Sequence, residues 1–371
     1  MLRQLLPNIY KNHILPSIYR QNIFKRSVST FTVGGIEETI IERTDFPLKK
    51  CREIIGNNIV SVLGYGPQGR GQALNLKDNG FNVILGLRDG NSKQQAIKDG
   101  WVENKNLFSI SEATRHGNII QYLLSDVGQI KEWDTVKDNL AHNKTLYFSH
   151  GFGITYSDKT NIIPPSNVDV VLVAPKGSGL TVRNHFVNGG GINVSYAVHQ
   201  DYTGKAEEKC LALAFGIGCG HAFKTNFRNE VYSDLTGERS VLMGLIQGAF
   251  SAQYKVLREK GHSPAEAYNE TVEEALESLF PLISEKGMDW LYANCSTTAQ
   301  RGALDWAPRF EEVLKPVIED CYNKVEDGSE ADIVIKANSD KNYRQKLDYE
   351  LKEMANQELW EVARHLRKLR P

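Results

Sequence analysis

The 371-residue chain has no paired cysteines, no long apolar run, no internal repeat and no low-complexity tract. Its five cysteines, at 51, 210, 219, 295 and 321, are scattered singly, with no C-x-x-C or Cys/His spacing. That excludes a zinc module, and the odd, dispersed set is no disulfide framework. A reducing compartment suits it. No apolar stretch is long enough to cross a bilayer. Net charge is −1, so total charge points to neither a nucleic-acid nor a membrane surface.

The sharpest local absence is of acid. Residues 1–36 contain no Asp or Glu but carry Arg3, Lys11, Arg20, Lys25 and Arg26. The stretch is dotted with Leu, Ile, Tyr and Phe and lacks the continuous apolar segment of a secretory signal. It reads as a mitochondrial transit peptide over residues 1–31, which places the protein in the matrix.

What is present is a soluble globular composition, 41% hydrophobic and 24% charged, long enough for two domains. From residue 58, short apolar runs alternate with helical stretches. Strands are expected at 59–63, 82–87, 118–124, 145–149, 168–173, 192–198 and 221–226. Such alternation implies α/β architecture, a Rossmann-like doubly wound parallel sheet over residues 32–226. Beyond 227 strand-like runs vanish. Helical patterns cover 233–260, 264–286 and 289–324, a loop is expected at 325–340, and a helix follows over 341–369. Residues 227–371 thus read as a helical second domain.

Residues 64–69 read GYGPQG, between a predicted strand and a predicted helix, the context a dinucleotide fingerprint requires. Gly64 permits the tight turn, Gly66 the approach of a pyrophosphate and Gly69 close helix–strand packing, with Tyr65 and Gln68 in the same loop. The next strand ends Leu87-Arg88-Asp89-Gly90-Asn91-Ser92-Lys93. Arg88 and Ser92, with Lys93 near, suit a 2′-phosphate and favour NADP(H). A shift of one register would instead make Asp89 the ribose ligand of NAD. Ligands bind beyond the carboxyl ends of such strands. Those ends carry Ser125, a candidate for the cofactor, and His150 and Lys176, each followed by glycines.

In the helical half, SDLTGER (233–239) puts Asp234 and Glu238 four apart on one helix face. An apolar stripe through Leu235, Leu242, Leu245, Ile246 and Ala249 contains Glu238. A carboxylate buried there needs a basic partner, such as Arg239, or a divalent metal. The next helix opens SPAE, with Ser263 as its cap. Glu270, Glu273, Glu274 and Glu277 lie off its apolar stripe. Periodicity makes them a solvated acidic face and singles out none as a ligand.

With these motifs assembled, the chain resembles the ketol-acid reductoisomerases (acetohydroxy-acid isomeroreductases) of the short, fungal mitochondrial form. The likeness runs from about residue 36 to the end through GYGPQG, FSHGFGI (148–154), VLVAPKGSGLTVR (171–183), SDLTGER, NETVEEA (269–275) and CSTTAQRGALDW (295–306). It implies a knotted helical domain, often shared across a dimer, so a homodimer or higher homo-oligomer. It implies two Mg²⁺ ions, held by Asp234 and Glu238 and by Glu270 and Glu274. It also implies a substrate contact at Ser296 and catalytic roles for His150 and Lys176. Pro67 stands where a Ser is more usual, the 88–93 loop is slightly short, and Thr236 replaces a common aromatic; none removes an acid or base. The implied substrate is a 2-hydroxy-3-keto acid such as 2-acetolactate or 2-aceto-2-hydroxybutyrate, converted to a 2,3-dihydroxy acid in valine and isoleucine biosynthesis. Two other readings stand beside it. A plain NADP-dependent 3-hydroxyacid dehydrogenase needs no four-carboxylate site. A non-catalytic nucleotide-binding scaffold leaves the His and Lys unexplained.

Overall fold

The computed structural model describes residues 29–370; most of the segment read as a transit peptide lies outside them. Ten strands form one sheet: β1 Ser29–Val33, β2 Ile36–Glu42, β3 Ile59–Leu63, β4 Asn82–Gly86, β5 Leu107–Phe108, β6 Ile119–Tyr122, β7 Thr145–Phe148, β8 Asp169–Pro175, β9 Val194–Gln200 and β10 His221–Lys224. Their order is β1-β2-β10-β9-β8-β7-β6-β3-β4-β5. From β5 through β8 every pairing is parallel. Within this parallel part the chain enters at β3, winds outward through β4 and β5, then returns to the other side at β6. That reversal opens a crevice between the carboxyl ends of β3 and β6.

The sheet departs from the all-parallel expectation on its far side. β9 runs antiparallel to β8, and β2 antiparallel to β10. The connection through the Gly179–Val187 helix delivers β9 from the top of the sheet rather than crossing back to its base. β1 and β2 form an exposed-edge hairpin, and Ser29–Phe31, read as the end of the leader, lie within it.

The central strands are apolar on both faces and take helices on each side. One core cluster joins Val60, Val62, Leu85, Val171 and Val173 to Leu76, Cys210 and Leu213. The other joins Leu63, Ile120, Leu146, Phe148 and Leu172 to Trp133, Val136 and Phe227. Three free cysteines, Cys51, Cys210 and Cys219, are buried there and behave as small apolar groups.

After β10 the chain is helical. The pattern read as one helix over 233–260 is two, Phe227–Arg239 and Gly244–Glu259. The chain turns back so tightly that a Cβ on Gly244 would lie 2.1 Å from the Arg239 carbonyl oxygen. The break detaches Leu242 from the stripe and leaves it 67% exposed. Glu238 consequently lies on an exposed surface, not on a buried stripe. The expected loop at 325–340 holds a helix, Ser329–Ser339, entered through left-handed Gly328 (φ 79°). The long carboxy-terminal helix is divided into Tyr343–Ala355 and Glu358–Leu366.

Candidate active site

The glycine loop packs at backbone distance. Gly64 has φ +101°, and a Cβ there would approach the Leu123 carbonyl oxygen to 2.6 Å. A Cβ on Gly69 would meet the Gly64 carbonyl oxygen at 2.2 Å, and one on Gly179 would meet Pro67 backbone at 2.0 Å. Gly66 differs: its Cβ position faces open space at the start of the Pro67–Asp78 helix. That is where free N–H groups face an anion. Tyr65 points away. Its hydroxyl donates to Asp99 at 2.9 Å and accepts from Trp101 at 2.9 Å inside the core, leaving its backbone for a ligand.

Gln68 donates to the Gly177 carbonyl at 2.9 Å, joining the glycine loop to the loop carrying Lys176. Gln72, one turn on, donates to Ser149 at 2.8 Å and accepts from Tyr147 at 2.7 Å. This chain of amides fixes the ends of β7 and β8 relative to the fingerprint.

At the outer end of the crevice is a cleft of about 550 Å³, lined among others by Arg88, Asp89, Lys93, Ser109 and Glu132. Arg88 lies 3.5 Å from Glu132, and Asp89 pairs with Lys93 at 3.0 Å. Ser92 is exposed on the first turn of the following helix. Ser125 caps the Asp126–Lys137 helix, accepting from Gly128 at 3.3 Å.

At the inner end, β7 delivers His150 and β8 delivers Lys176 to the Phe227–Arg239 helix. His150 Nδ1 lies 3.2 Å from Glu230 Oε2 and 3.4 Å from Asp234 Oδ2. The ring and the carboxylates meet as ion-pair contacts, too poorly aligned for hydrogen bonds. Lys176 Nζ lies 3.4 Å from both Glu230 and Asp234. Glu230 is 2% exposed and also accepts the Gly151 N–H at 2.8 Å. Two cations and one N–H thus satisfy a carboxylate taken almost wholly from water.

Burial disfavours the charged forms throughout, and at His150 and Glu230 the local charges outweigh it. Burial alone would lower the His150 pKa; Glu230, then Asp126 and Asp234, outweigh it and push it up to about 9. The surrounding carboxylates thus favour the imidazolium form of His150. Burial likewise opposes ionisation of Glu230, yet His150 and Lys176 hold its carboxyl below the usual range. Burial raises the Asp126 pKa, with His150 acting against it. Glu238 is exposed as a residue, but protein atoms crowd its carboxyl. That desolvation, followed by the like charge of Asp234, raises its pKa.

Among the described residues, the one cluster of three or more candidate metal ligands is His150, Glu230 and Asp234. Glu230 was absent from the expected site. The missed signal is its spacing: Glu230, Asp234 and Glu238 stand four apart along one helix face. Glu270 and Glu274 are elsewhere and exposed, on a π-helical segment spanning Asn269–Glu273 and Ala275–Leu279. Such segments recur at functional sites, and Pro281 just beyond removes a backbone donor. Ser296 is exposed and caps the Thr297–Glu326 helix.

With this geometry in view, comparison with known proteins is specific. Residues 54–223 match the family model for the acetohydroxy acid isomeroreductase NADPH-binding domain, and residues 227–371 match the ketol-acid reductoisomerase C-terminal domain. The chain is 53% identical to the mitochondrial ketol-acid reductoisomerase of Saccharomyces cerevisiae, over 94% of this chain and 89% of that one. It is 55% identical to a ketol-acid reductoisomerase (NAD(+)) of Desulfosudis oleivorans, over 92% of this chain and 97% of that one. Among solved structures, an NADH-preferring ketol-acid reductoisomerase from an uncultured archean superposes with a TM-score of 0.78 at 30% identity, covering 89% of this chain and 99% of that one. Sequence, domain order and three-dimensional structure agree that the chain belongs to the ketol-acid reductoisomerase family.

Proposed function

We propose that the chain converts 2-acetolactate and 2-aceto-2-hydroxybutyrate to 2,3-dihydroxy acids by alkyl migration followed by NADPH reduction, in valine and isoleucine biosynthesis. The observation that carries this reading is the His150–Lys176–Glu230–Asp234 cluster beside the glycine loop. Mg²⁺-dependent oxidation of NADPH by 2-acetolactate tests it. Metal-independent turnover of simple 3-hydroxy acids would favour a plain dehydrogenase instead.

The residues fit the groups this chemistry needs. Gly66 leaves open space at a helix amino terminus, and the cleft beyond Arg88 can accept the adenosine end of a dinucleotide. Asp234 and Glu238 are adjacent carboxylates under mutual repulsion, which a dication would relieve. They would hold Mg²⁺ together with Glu270 and Glu274. When bound, two Mg²⁺ ions polarise the vicinal oxygens, and the nicotinamide supplies the hydride.

The protein's own groups manage protons and charge. During migration the C2 hydroxyl gives up its proton and the former C3 carbonyl oxygen gains one; reduction then places hydride on C2 and a proton on its oxygen. The His150 imidazolium, held by Glu230, can deliver and recover a proton at Nε2. Lys176 offers a second cation next to Asp234, where a substrate carboxylate or alkoxide would be stabilised.

The cofactor is proposed to be NADPH, because Arg88 lines the cleft, Ser92 lies exposed in the first turn of the helix that follows, and Asp89 is already engaged by Lys93. The printed names of relatives divide between NAD and NADP. We expect kcat/KM to be higher with NADPH than with NADH. Equal or reversed values would assign the preference to Asp89.

A second copy of the chain is proposed to complete each site. The Thr297–Glu326 helix is anchored at its far end near His150: the Tyr156 hydroxyl donates to the Val325 carbonyl at 2.6 Å, within a cluster containing Phe152 and Tyr232. Twenty-nine residues of helix place Ser296 about 44 Å from that anchor. Trp306, Phe310, Val313 and Val317 along this helix are 55–65% exposed and suit burial against another copy. Mixing Glu238→Gln chains with Ser296→Ala chains separates the possibilities. If the site is shared, hybrid dimers carry one intact site, and the mixture regains about a quarter of parent activity. If each chain builds its own site, nothing is regained.

The protein is proposed to act in the mitochondrial matrix, from its acid-free basic leader and the mitochondrial designation of fungal relatives. Amino-terminal sequencing of the protein isolated from cells should begin between about Arg26 and Phe31; an intact Met1 would contradict import-linked cleavage.

A further inference from the structure

The segment 270–277 carries Glu270, Glu273, Glu274 and Glu277, and a single side chain from outside engages two of them. Arg370 donates from Nε to Glu273 Oε1 at 2.8 Å and from a terminal nitrogen to Glu273 Oε2 at 2.7 Å. Its other terminal nitrogen lies 2.8 Å from Glu277. The Tyr268 hydroxyl also donates to Glu273, at 3.0 Å. Among the described residues, the carboxylates of Glu270 and Glu274 form no ion pair. Arg370 rests on a packed support, since Leu359 and Ala363 of the Glu358–Leu366 helix pack in one cluster with Tyr268 and Val272.

We propose that Arg370 is a positioning residue for the metal-binding pair: its two-pronged contact withdraws Glu273 and Glu277 and holds the π-helical segment so that Glu270 and Glu274 face a divalent cation. This rests on the proposed metal site above. A planar guanidinium fixes both carboxylate oxygens at once, giving orientation as well as charge. As a partly exposed pair it contributes little to global stability. Its effect falls on geometry. Without it, four like charges repel along one short segment, and mismatched pairs such as Glu273 and Glu277 become competing ligands.

The test is Mn²⁺ binding to the full-length protein, followed by the electron paramagnetic resonance signal of free Mn²⁺, alongside the melting temperature. Arg370→Ala should weaken binding about 10-fold, as outer-sphere partners of metal ligands do, with a melting temperature near the parent's. Arg258→Ala is the control. It breaks the 2.5 Å Arg258–Glu358 contact on the same carboxy-terminal helix without touching the acidic segment, and should leave Mn²⁺ affinity unchanged. Simple removal of a positive charge would tighten cation binding. Unchanged or tighter binding in Arg370→Ala therefore overturns the proposal, as does equal weakening in Arg258→Ala. Glu270→Gln tests the underlying site. If it too leaves Mn²⁺ binding unaltered, the metal assignment fails together with the clamp; if it alone weakens binding, only the clamp fails.

Discussion

Glu238→Gln and Glu270→Gln are expected to bring conversion of 2-acetolactate close to background, while reduction of a supplied 3-hydroxy-2-keto acid survives better. Migration of a carbon group requires both vicinal oxygens to be polarised, so it demands every carboxylate that holds a cation. Reduction requires one polarised carbonyl and a hydride. Glutamine keeps shape and removes one charge. Loss even of an outer-sphere partner costs about 10–100-fold, and loss of a direct ligand should exceed that. Glu277→Gln removes an acid from the same segment, but one committed to Arg370. It should stay close to parent activity. Activity of all three variants against 2-acetolactate at the parent level would return these glutamates to an ordinary solvated face.

The second large effect concerns two glycines with opposite consequences. At Gly179 a Cβ would sit 2.0 Å from the Pro67 carbonyl, where the Gly179–Val187 helix crosses the fingerprint helix backbone to backbone. Neither backbone can move without carrying the Gln68–Gly177 link and the Lys176 loop with it. Gly179→Ala should cost about 3 kcal/mol in denaturant unfolding, the upper end for overpacking, and should also abolish cofactor binding. Gly66→Ala adds its methyl into open space. It should unfold like the parent but lose NADPH affinity, because the methyl occupies the approach to the pyrophosphate. Fluorescence titration with NADPH and urea unfolding read the two quantities separately. Parent-like stability in Gly179→Ala, or parent-like NADPH binding in Gly66→Ala, would contradict this account of the loop.

Much of the fold is legible in the sequence because its parallel strands are buried on both faces and read as short apolar runs between helices. β3, β7 and β8 appear at nearly their observed limits, and the rim placement of His150 and Lys176 follows from them. The antiparallel turn of β9 is not legible, since a strand's direction within the sheet is set by where its connecting helix packs. β2 was hidden by its position beside the basic leader. Its polar residues Glu37 and Glu38 alternate with nothing buried until Ile41. The helix Ser329–Ser339 begins in a Gly328-Ser329 turn with acids in its first turn, a composition that suits loops equally well. Glu230 shows the limit most clearly. Its helix face is readable, but its partners arrive from β7 and β8, more than fifty residues upstream. The same holds for the four acids at 270–277, whose sorting depends on Arg370, nearly a hundred residues on.

The most direct test of the central claim is the carbon skeleton formed from 2-acetolactate and NADPH, read by NMR with and without Mg²⁺. The account predicts 2,3-dihydroxy-3-methylbutanoate, with the methyl group moved from C2 to C3, and no product when Mg²⁺ is withheld. Formation of 2,3-dihydroxy-2-methylbutanoate, the product of direct carbonyl reduction without migration, would contradict it, as would the rearranged product formed equally well without metal.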